Sequence, residues 1–346
     1  MAEISVIIPS YNHAKYISGA VNSVLQQTWK DLELIVIDDG SQDNSLEILH
    51  QFSDPRVRIL SQENQGAHAT INRGLREATG RYLAILNSDD QFHPQRLEKC
   101  FNVFDEHPDT GLLGSFLEII NQNGEIVGTK HGYLDCNPWL LDNPSHSFRA
   151  GKNLPLALLT ENYLSTTSNF FFTRASFESI GEFNPLRYTH DWDFALRISK
   201  EHPIRLLEEP LVRYRIHPGN TIRENQAAMI FEICWILAVH LPKYSNSQNF
   251  KSEQLDVRID QLLHSIYTYN CDRVLNVMLL LRLHDNSAEA RLLLDPANPE
   301  RQRFISYIQG VLPSTPPEKP LSLYRRIRHR LSPLKASFYR LNKQKK

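Results

Sequence analysis

Two pairs of aspartates, each directly after a short apolar run, are the residues best placed to do chemistry. Residues 34–37 (Leu-Ile-Val-Ile) lead into Asp38-Asp39-Gly40-Ser41, and residues 82–86 (Tyr-Leu-Ala-Ile-Leu) lead into Asn87-Ser88-Asp89-Asp90. Apolar runs of this length, rich in branched residues and closed by turn residues, read as buried parallel strands. The carboxylates then sit at the carboxyl ends of strands, the edge of an open α/β sheet where ligands bind. Four carboxylates gathered there repel each other and any phosphate unless a cation or donor groups offset them. The pattern therefore points to a metal and a nucleoside diphosphate. A later carboxylate, Asp191 in His190-Asp191-Trp192-Asp193, falls at the start of a predicted helix. The positive end of the helix dipole there favours its ionised form.

The elements needed to hold these groups are legible. Residues 4–9 form a strand, 14–27 a helix, 34–38 a strand, and 45–52 a helix that residues 41–44 cap. Strands at 57–61 and 81–86 flank a helix over 66–79 that ends at Gly80, a suitable C′ residue. This alternation predicts an α/β fold, a three-layer α/β/α sandwich over a mostly parallel sheet. Beyond it the pattern loosens. Strands are expected at 111–121 and 125–130, irregular chain at 131–165, strands at 169–173, 204–207 and 211–216, and a helix at 190–201. Residues 222–311 read as a helical region. The prolines of 312–320 keep the backbone extended.

With 41% hydrophobic and 22% charged residues, composition is that of an ordinary globular protein. No apolar stretch approaches the ~20 residues that span a bilayer. The N-terminus lacks the basic and apolar regions of a signal peptide. The four cysteines form no metal or redox spacing, which fits a reduced, cytoplasmic compartment. The net charge of −1 hides an asymmetry: residues 321–346 carry nine Lys/Arg and no Asp/Glu, leaving 29 Lys/Arg against 39 Asp/Glu in residues 1–320.

A lone Asp-Asp-Gly-Ser after a strand is usually a turn; the signal lies in combination and order. Ser5-Val6-Ile7-Ile8-Pro9-Ser10-Tyr11-Asn12 resembles the opening strand of family 2 glycosyltransferases, which are inverting enzymes of the GT-A (Rossmann-like) fold. Residues 38–43 are similar to that family's second motif, and Asn64-Gln65-Gly66 with Asn72-Arg73-Gly74 to its third. Asn87-Ser88-Asp89-Asp90 stands where its DxD-type metal motif stands. His190-Asp191-Trp192-Asp193 with Arg197 resembles its Glu-Asp motif, and Tyr214–Thr221 the segment closing its catalytic domain, so residues 1–221 are expected to form that domain.

The resemblance implies roles. Pro9 and Tyr11 would lie beside the base. Asp39 would accept a hydrogen bond from a uracil-type N–H or a ribose hydroxyl. Asn64 and Gly66 join the donor site. Asp89 would face the ribose or the metal, and Asp90 would ligate Mg2+ or Mn2+ bridging the diphosphate, with His217 reaching metal or diphosphate. Asp191 would be the general base, with His190 and Trp192 on the acceptor side; Trp139 is a further candidate to stack on a sugar. Two departures stand out. His190 replaces the family's usual Glu, and Arg73 follows Asn72 where an Arg often precedes that Asn, a position Ile71 takes here. The Gln-x-x-Arg-Trp motif and the membrane spans of processive synthases are missing, so one sugar is expected per encounter.

In the tail, Leu323, Ile327, Leu331, Leu334, Phe338 and Leu341 mark one helix face and basic residues fill much of the rest. Such a helix reads as a binder of anionic membrane surfaces, with a helix packed on the body as the alternative. Nucleic acid is not the expected partner of an acidic body. The expected activity is metal-dependent transfer of one sugar from a nucleotide-sugar, a UDP-sugar in the first instance, to a lipid-linked or cell-surface glycan at the inner face of a membrane. Two rivals are a sugar-nucleotide pyrophosphorylase and a non-catalytic nucleotide-sugar-binding protein. The first wants a Gly-rich, Arg-containing loop after strand one, which Pro9-Ser10-Tyr11-Asn12-His13 does not offer. The intact aspartates argue against the second.

Overall fold

The computed structural model describes residues 2–131, 158–159, 162–221, 224–245, 278 and 288–311. Trp139, the proline-rich stretch and the basic tail lie outside the described residues. The strands are β1 (Ile4–Ser10), β2 (Leu32–Asp38), β3 (Val57–Ser61), β4 (Tyr82–Ile85), β5 (Gln91–Phe92), β6 (Leu112–Ile120), β7 (Ile126–Lys130), β8 (Phe171–Thr173) and β9 (Ile204–Arg215). The helices are α1 (Ile17–Leu25), α2 (Ser45–Leu49), α3 (Ala67–Glu77), α4 (Arg96–Glu106), α5 (Arg174–Ile180), α6 (His190–Glu201), α7 (Gln226–Ser245), α8 (Ala288–Leu292) and α9 (Pro299–Val311).

Among the described residues the strands make one sheet, ordered β3-β2-β1-β4-β8-β6-β9-β5, with β7 beside β6. The expected parallel pairing holds for β3, β2, β1 and β4. The second half is mixed, because β8 runs antiparallel to β4 and β6 while β6 and β9 are parallel. Apolar residues on one sheet face pack with α1, α2 and α4 residues such as Val21, Leu49 and Phe104. Those on the other pack with α3, α6, α7 and α9 in a continuous core from Ile7 to Ile308.

Three local expectations change for physical reasons. The strands expected at 204–207 and 211–216 are one strand, in which the register jumps from Leu207 opposite Ser115 to Pro210 opposite Phe116. Glu208 and Glu209 bulge outward and stay exposed, which breaks the sequence pattern. Helix α3 ends before Gly80, at Ala78, which is extended. Gly80 serves close approach instead, since a Cβ there would lie 2.7 Å from the backbone nitrogen of Ser5. The segment at 169–173 opens with a 3-10 turn over Thr167–Asn169 before β8 begins.

The C-terminal helices grip the helix that carries Asp191. Glu232 of α7, fully buried, accepts from the backbone N–H of Arg187 (3.0 Å) and Tyr188 (2.8 Å) and from Arg301 Nη2 (3.3 Å). These donors belong to the turn leading into α6 and to α9. Removing one partner from a buried pair leaves the others desolvated and unpaired, at a cost of about 3–5 kcal/mol. Glu232→Ala is therefore expected to lower unfolding stability by that order, with Glu232→Gln milder. Urea titration of the two variants checks this; equal midpoints for Glu232→Ala and the unmodified chain would remove Glu232 from the framework.

Candidate active site

The loops after β1 and β2 are laced together. Asn12 N–H donates to Ser41 Oγ (2.9 Å), Gln42 N–H to Asn12 Oδ1 (2.7 Å), and Ala14 N–H to Asp43 Oδ2 (3.1 Å). Gly40 takes φ 75°, and a Cβ on it would stand 3.0 Å from the nitrogen of Asn64, so glycine lets the loop after β2 close on the loop after β3. Pro9 is buried at the end of β1, and Tyr11 projects from the crevice, 42% exposed.

Asp39, nearly fully buried, organises the loop before α3. Its Oδ1 accepts from Gln62 Nε2 (2.7 Å) and Gln65 N–H (2.9 Å), and its Oδ2 from Gly66 N–H (2.8 Å). One acceptor position of Oδ2 remains for a ligand. Asn64 is exposed on the same loop. Arg73, the departure noted in sequence, donates to Ser61 O and Gln62 Oε1, so it supports the side chain that supports Asp39.

The two aspartates after β4 part company. Asp90 is 1% exposed. Its Oδ1 accepts from the Arg215 N–H (2.8 Å) and its Oδ2 from Ser168 Oγ (2.6 Å). Burial and the neighbouring Asp89 push its carboxyl well above the usual range. Asp89 instead meets His217 Nε2 at 3.0 Å. Burial works against its charge, but His217 and His13 outweigh it and hold its carboxyl below the usual range. Ligand atoms of His13, Asp89 and His217 lie within 4.8 Å of one another. His13 is further fixed by Ser88 Oγ at 2.7 Å. Arg215 lies under this group, donating Nε to the Asp89 carbonyl (2.7 Å) and stacking over Tyr16 at 4.8 Å. The group that could hold a cation thus comprises Asp89 and His217, which sequence nominated, and His13, which it did not. Asp90, nominated as the metal ligand, has both oxygens engaged within the protein.

Asp191 and Asp193, on one helix turn, also differ. Asp193 accepts from Arg197 Nε, Asn184 Nδ2 and His240 Nε2, each at 2.9 Å. Burial opposes its charge, but Arg197 and His240 prevail and depress its carboxyl far below the usual range. Among the described residues Asp191 has no such cation pair. Burial raises its carboxyl above the usual range, with His190 beside it pulling the other way. Its oxygens accept from Trp192 N–H (2.7 Å) and Asn162 Nδ2 (2.9 Å). His190 is half-buried and its Nδ1 is enclosed without a hydrogen-bond partner among the described residues. Burial and His190 lower the pKa of His68, on the first turn of α3, against the opposing pull of Asp39. Trp192 was expected on the acceptor side; its indole is buried in the core and donates to the Leu158 carbonyl at 2.6 Å.

Residues 162–169 join the two halves of the site. Asn162 bonds Asp191, Thr166 and Thr167 bond the Asn87 side chain, and Ser168 bonds Asp90 and the Asn87 N–H. Sequence reading passed over this segment, His13 and His68; nothing in their local spacing marks them.

The model of glycosyl transferase family 2 matches residues 5–181, just over half of the chain. The chain belongs to glycosyl transferase family 2. The chain is 31% identical over 229 residues to an uncharacterized glycosyltransferase of Nostoc, a match covering 63% of this chain and 66% of that protein. It is 28% identical over 256 residues to a chondroitin synthase of Escherichia coli, covering 71% of this chain but 34% of that protein. Among solved structures it resembles S. aureus TarS 1–349 in complex with UDP, with TM-score 0.56, 17% identity, and 89% of this chain and 87% of that chain covered. The mannosyltransferase PcManGT of Pyrobaculum calidifontis, in complex with GDP-Man and Mn2+, superposes with TM-score 0.53 at 15% identity over 90% of this chain and 86% of that chain. These likenesses fix the GT-A fold of the glycosyltransferase. Among the described residues no helix is long and apolar enough to cross a membrane.

Proposed function

We propose that this glycosyltransferase transfers one sugar from a UDP-sugar, with inversion, using a divalent cation and Asp191 as general base. The observation that carries this reading is the single segment 162–169, which bonds Asn87 and Asp90 on the loop that also carries Asp89, and at its other end bonds the buried carboxylate of Asp191. His13, Asp89 and His217 fit a cation: one carboxylate and two imidazoles suit Mn2+ better than Mg2+, which prefers an all-oxygen shell. Bound there, the ion would offset charge on the departing diphosphate. The free acceptor position on Asp39 would take an N–H or hydroxyl of the nucleoside, and Tyr11 would cover the base. Asp191 would remove the acceptor hydroxyl's proton as the oxygen attacks the anomeric carbon; Asp193, locked to Arg197 and His240, cannot serve. A neighbour holding UDP supports the uridine donor, and another holding GDP-Man makes guanosine the alternative.

The acceptor would be a lipid-linked or cell-surface glycan, approached at the inner face of a membrane through the basic residues 321–346. Residues 1–221 would form the catalytic unit, with 222–311 as a helical brace. A thermal-shift panel of UDP, GDP and their sugars with Mn2+ tests the donor. A ligand at 100 times its Kd stabilises by about 2.7 kcal/mol, a shift of several degrees. UDP compounds are expected to shift the transition in Mn2+ and much less in EDTA. A larger shift with GDP compounds would reassign the donor, and a shift unaccompanied by donor hydrolysis in a parallel assay would return the chain to a binding role.

A further inference from the structure

Asp191 is oriented from outside its own helix. Asn162, which donates to its Oδ2, sits at the start of a tight turn. The turn is closed by Ser165 N–H donating to the Asn162 carbonyl (3.1 Å), and the same N–H also points at Asn162 Oδ1 (3.2 Å). Ser165 holds φ 74°, a left-handed conformation unfavourable for serine, so the turn is kept by its surroundings. Part of that restraint is Lys130, the last residue of β7. It is 1% exposed, and its Nζ donates to Ser165 Oγ at 2.7 Å. Ser165 Oγ in turn points to the Tyr163 carbonyl at 3.2 Å. A buried ammonium is costly unless bonded, and a strained serine is costly unless held. Both costs are met at the one turn that presents an amide to Asp191.

We propose that Asn162 is a positioning residue for glycosyl transfer, and that the Lys130–Ser165 latch sets the turn through which it fixes the Asp191 carboxylate in one orientation. The inference rests on the reading of Asp191 as general base. Trp192 N–H takes one oxygen and Asn162 the other, so the carboxylate cannot rotate without losing both bonds. Each oxygen keeps an acceptor position for the incoming proton. The donated bonds also favour the charged form, as does His190 on the same helix. The other charged or titratable groups nearby are His68 of α3, facing His190; Asp193, paired with Arg197 and His240; and Lys130, which acts through Ser165. None of them is altered in the test variants.

The test measures UDP or GDP released from whichever sugar nucleotide of the panel the unmodified enzyme turns over in Mn2+, with water as acceptor. Asn162→Ala is expected to lower kcat at least tenfold with the donor Kd unchanged. Losing a donor to the carboxylate raises its pKa, so the acidic limb of the kcat–pH profile should move to higher pH. Asn162→Gln should recover part of the rate. Ser165→Gly suits the left-handed backbone but removes the hydroxyl, so it keeps the turn and cuts the latch. It should show a smaller fall in kcat and the same direction of limb shift, and it carries the test if Asn162→Ala does not fold. Unchanged kcat and pH limb in Asn162→Ala or, failing its expression, in Ser165→Gly, with Asp191→Asn inactive, would reject the positioning role alone. Full activity of Asp191→Asn would reject the base and this proposal together.

Discussion

Replacing Asp191 with Asn is expected to leave donor binding intact and to cut kcat by at least about 10²-fold, the lower range for loss of general-base catalysis. The substitution is nearly isosteric, and an amide oxygen still accepts from Asn162 or from Trp192 N–H, so the helix start should hold. Only the ability to take a proton is lost. The same carboxyl makes a pH prediction whose sign is fixed. Burial raises its pKa above the ordinary carboxylate range, and the working form is ionised. As pH falls through that raised value the base is protonated, so kcat should decline at a higher pH than a solvent-exposed aspartate would give. The donor Kd should not follow that limb. Asp193→Asn is the control with a different outcome. That carboxyl is held in its charged form by Arg197 and His240, so its loss should appear in unfolding midpoint first and in kcat only as the helix loosens. If Asp193→Asn at full stability loses kcat while Asp191→Asn keeps it, the base is assigned to the wrong carboxylate.

What could be read from sequence alone follows from how local each signal is. Strands β1, β2 and β4 each contain an apolar run ended by turn residues, and such runs carry their own punctuation. Strand β9 was legible only in pieces, because Glu208 and Glu209 bulge out and interrupt its pattern. The candidate carboxylates were visible because they follow strand ends and open a helix. Which oxygen faces a ligand was not, since that is decided by partners far along the chain. Asp90 is turned inward by Ser168 and by the backbone of Arg215. Asp89 is turned toward His13 and His217, which sit 76 residues before and 128 after it. The partner of the Trp192 indole, the Leu158 carbonyl 34 residues earlier in the chain, was likewise beyond any local signal. Asn162 had no sequence signal at all, for it lies in irregular chain and gains meaning only through Asp191.

The same divergence of neighbouring aspartates gives the sharpest contrast between two variants. Asp89→Ala is expected to abolish transfer and to bring UDP binding in Mn2+ down to the level seen in EDTA. Removing the carboxylate leaves two imidazoles, and a hard divalent ion bound through oxygen loses its charged ligand. Asp90→Asn should behave otherwise. Its carboxyl is already driven toward the neutral form, which an amide imitates in shape and charge, and an amide oxygen can still accept from Arg215 N–H or Ser168 Oγ. It should retain Mn2+-dependent UDP binding, with a loss of about 1–3 kcal/mol of stability for the hydrogen bond it cannot make. His13→Ala separates the third ligand from the other two. It should weaken the Mn2+ dependence of UDP binding without removing it, because Asp89 and His217 remain. Titrating Mn2+ into each variant at fixed UDP, with unfolding midpoints measured alongside, reads all three. The arrangement predicts the order Asp89→Ala, then His13→Ala, then Asp90→Asn in loss of Mn2+ response. If Asp90→Asn loses that response at an unchanged midpoint while Asp89→Ala retains it, the cation is held by the inward-facing carboxylate, and the group at His13, Asp89 and His217 has another use.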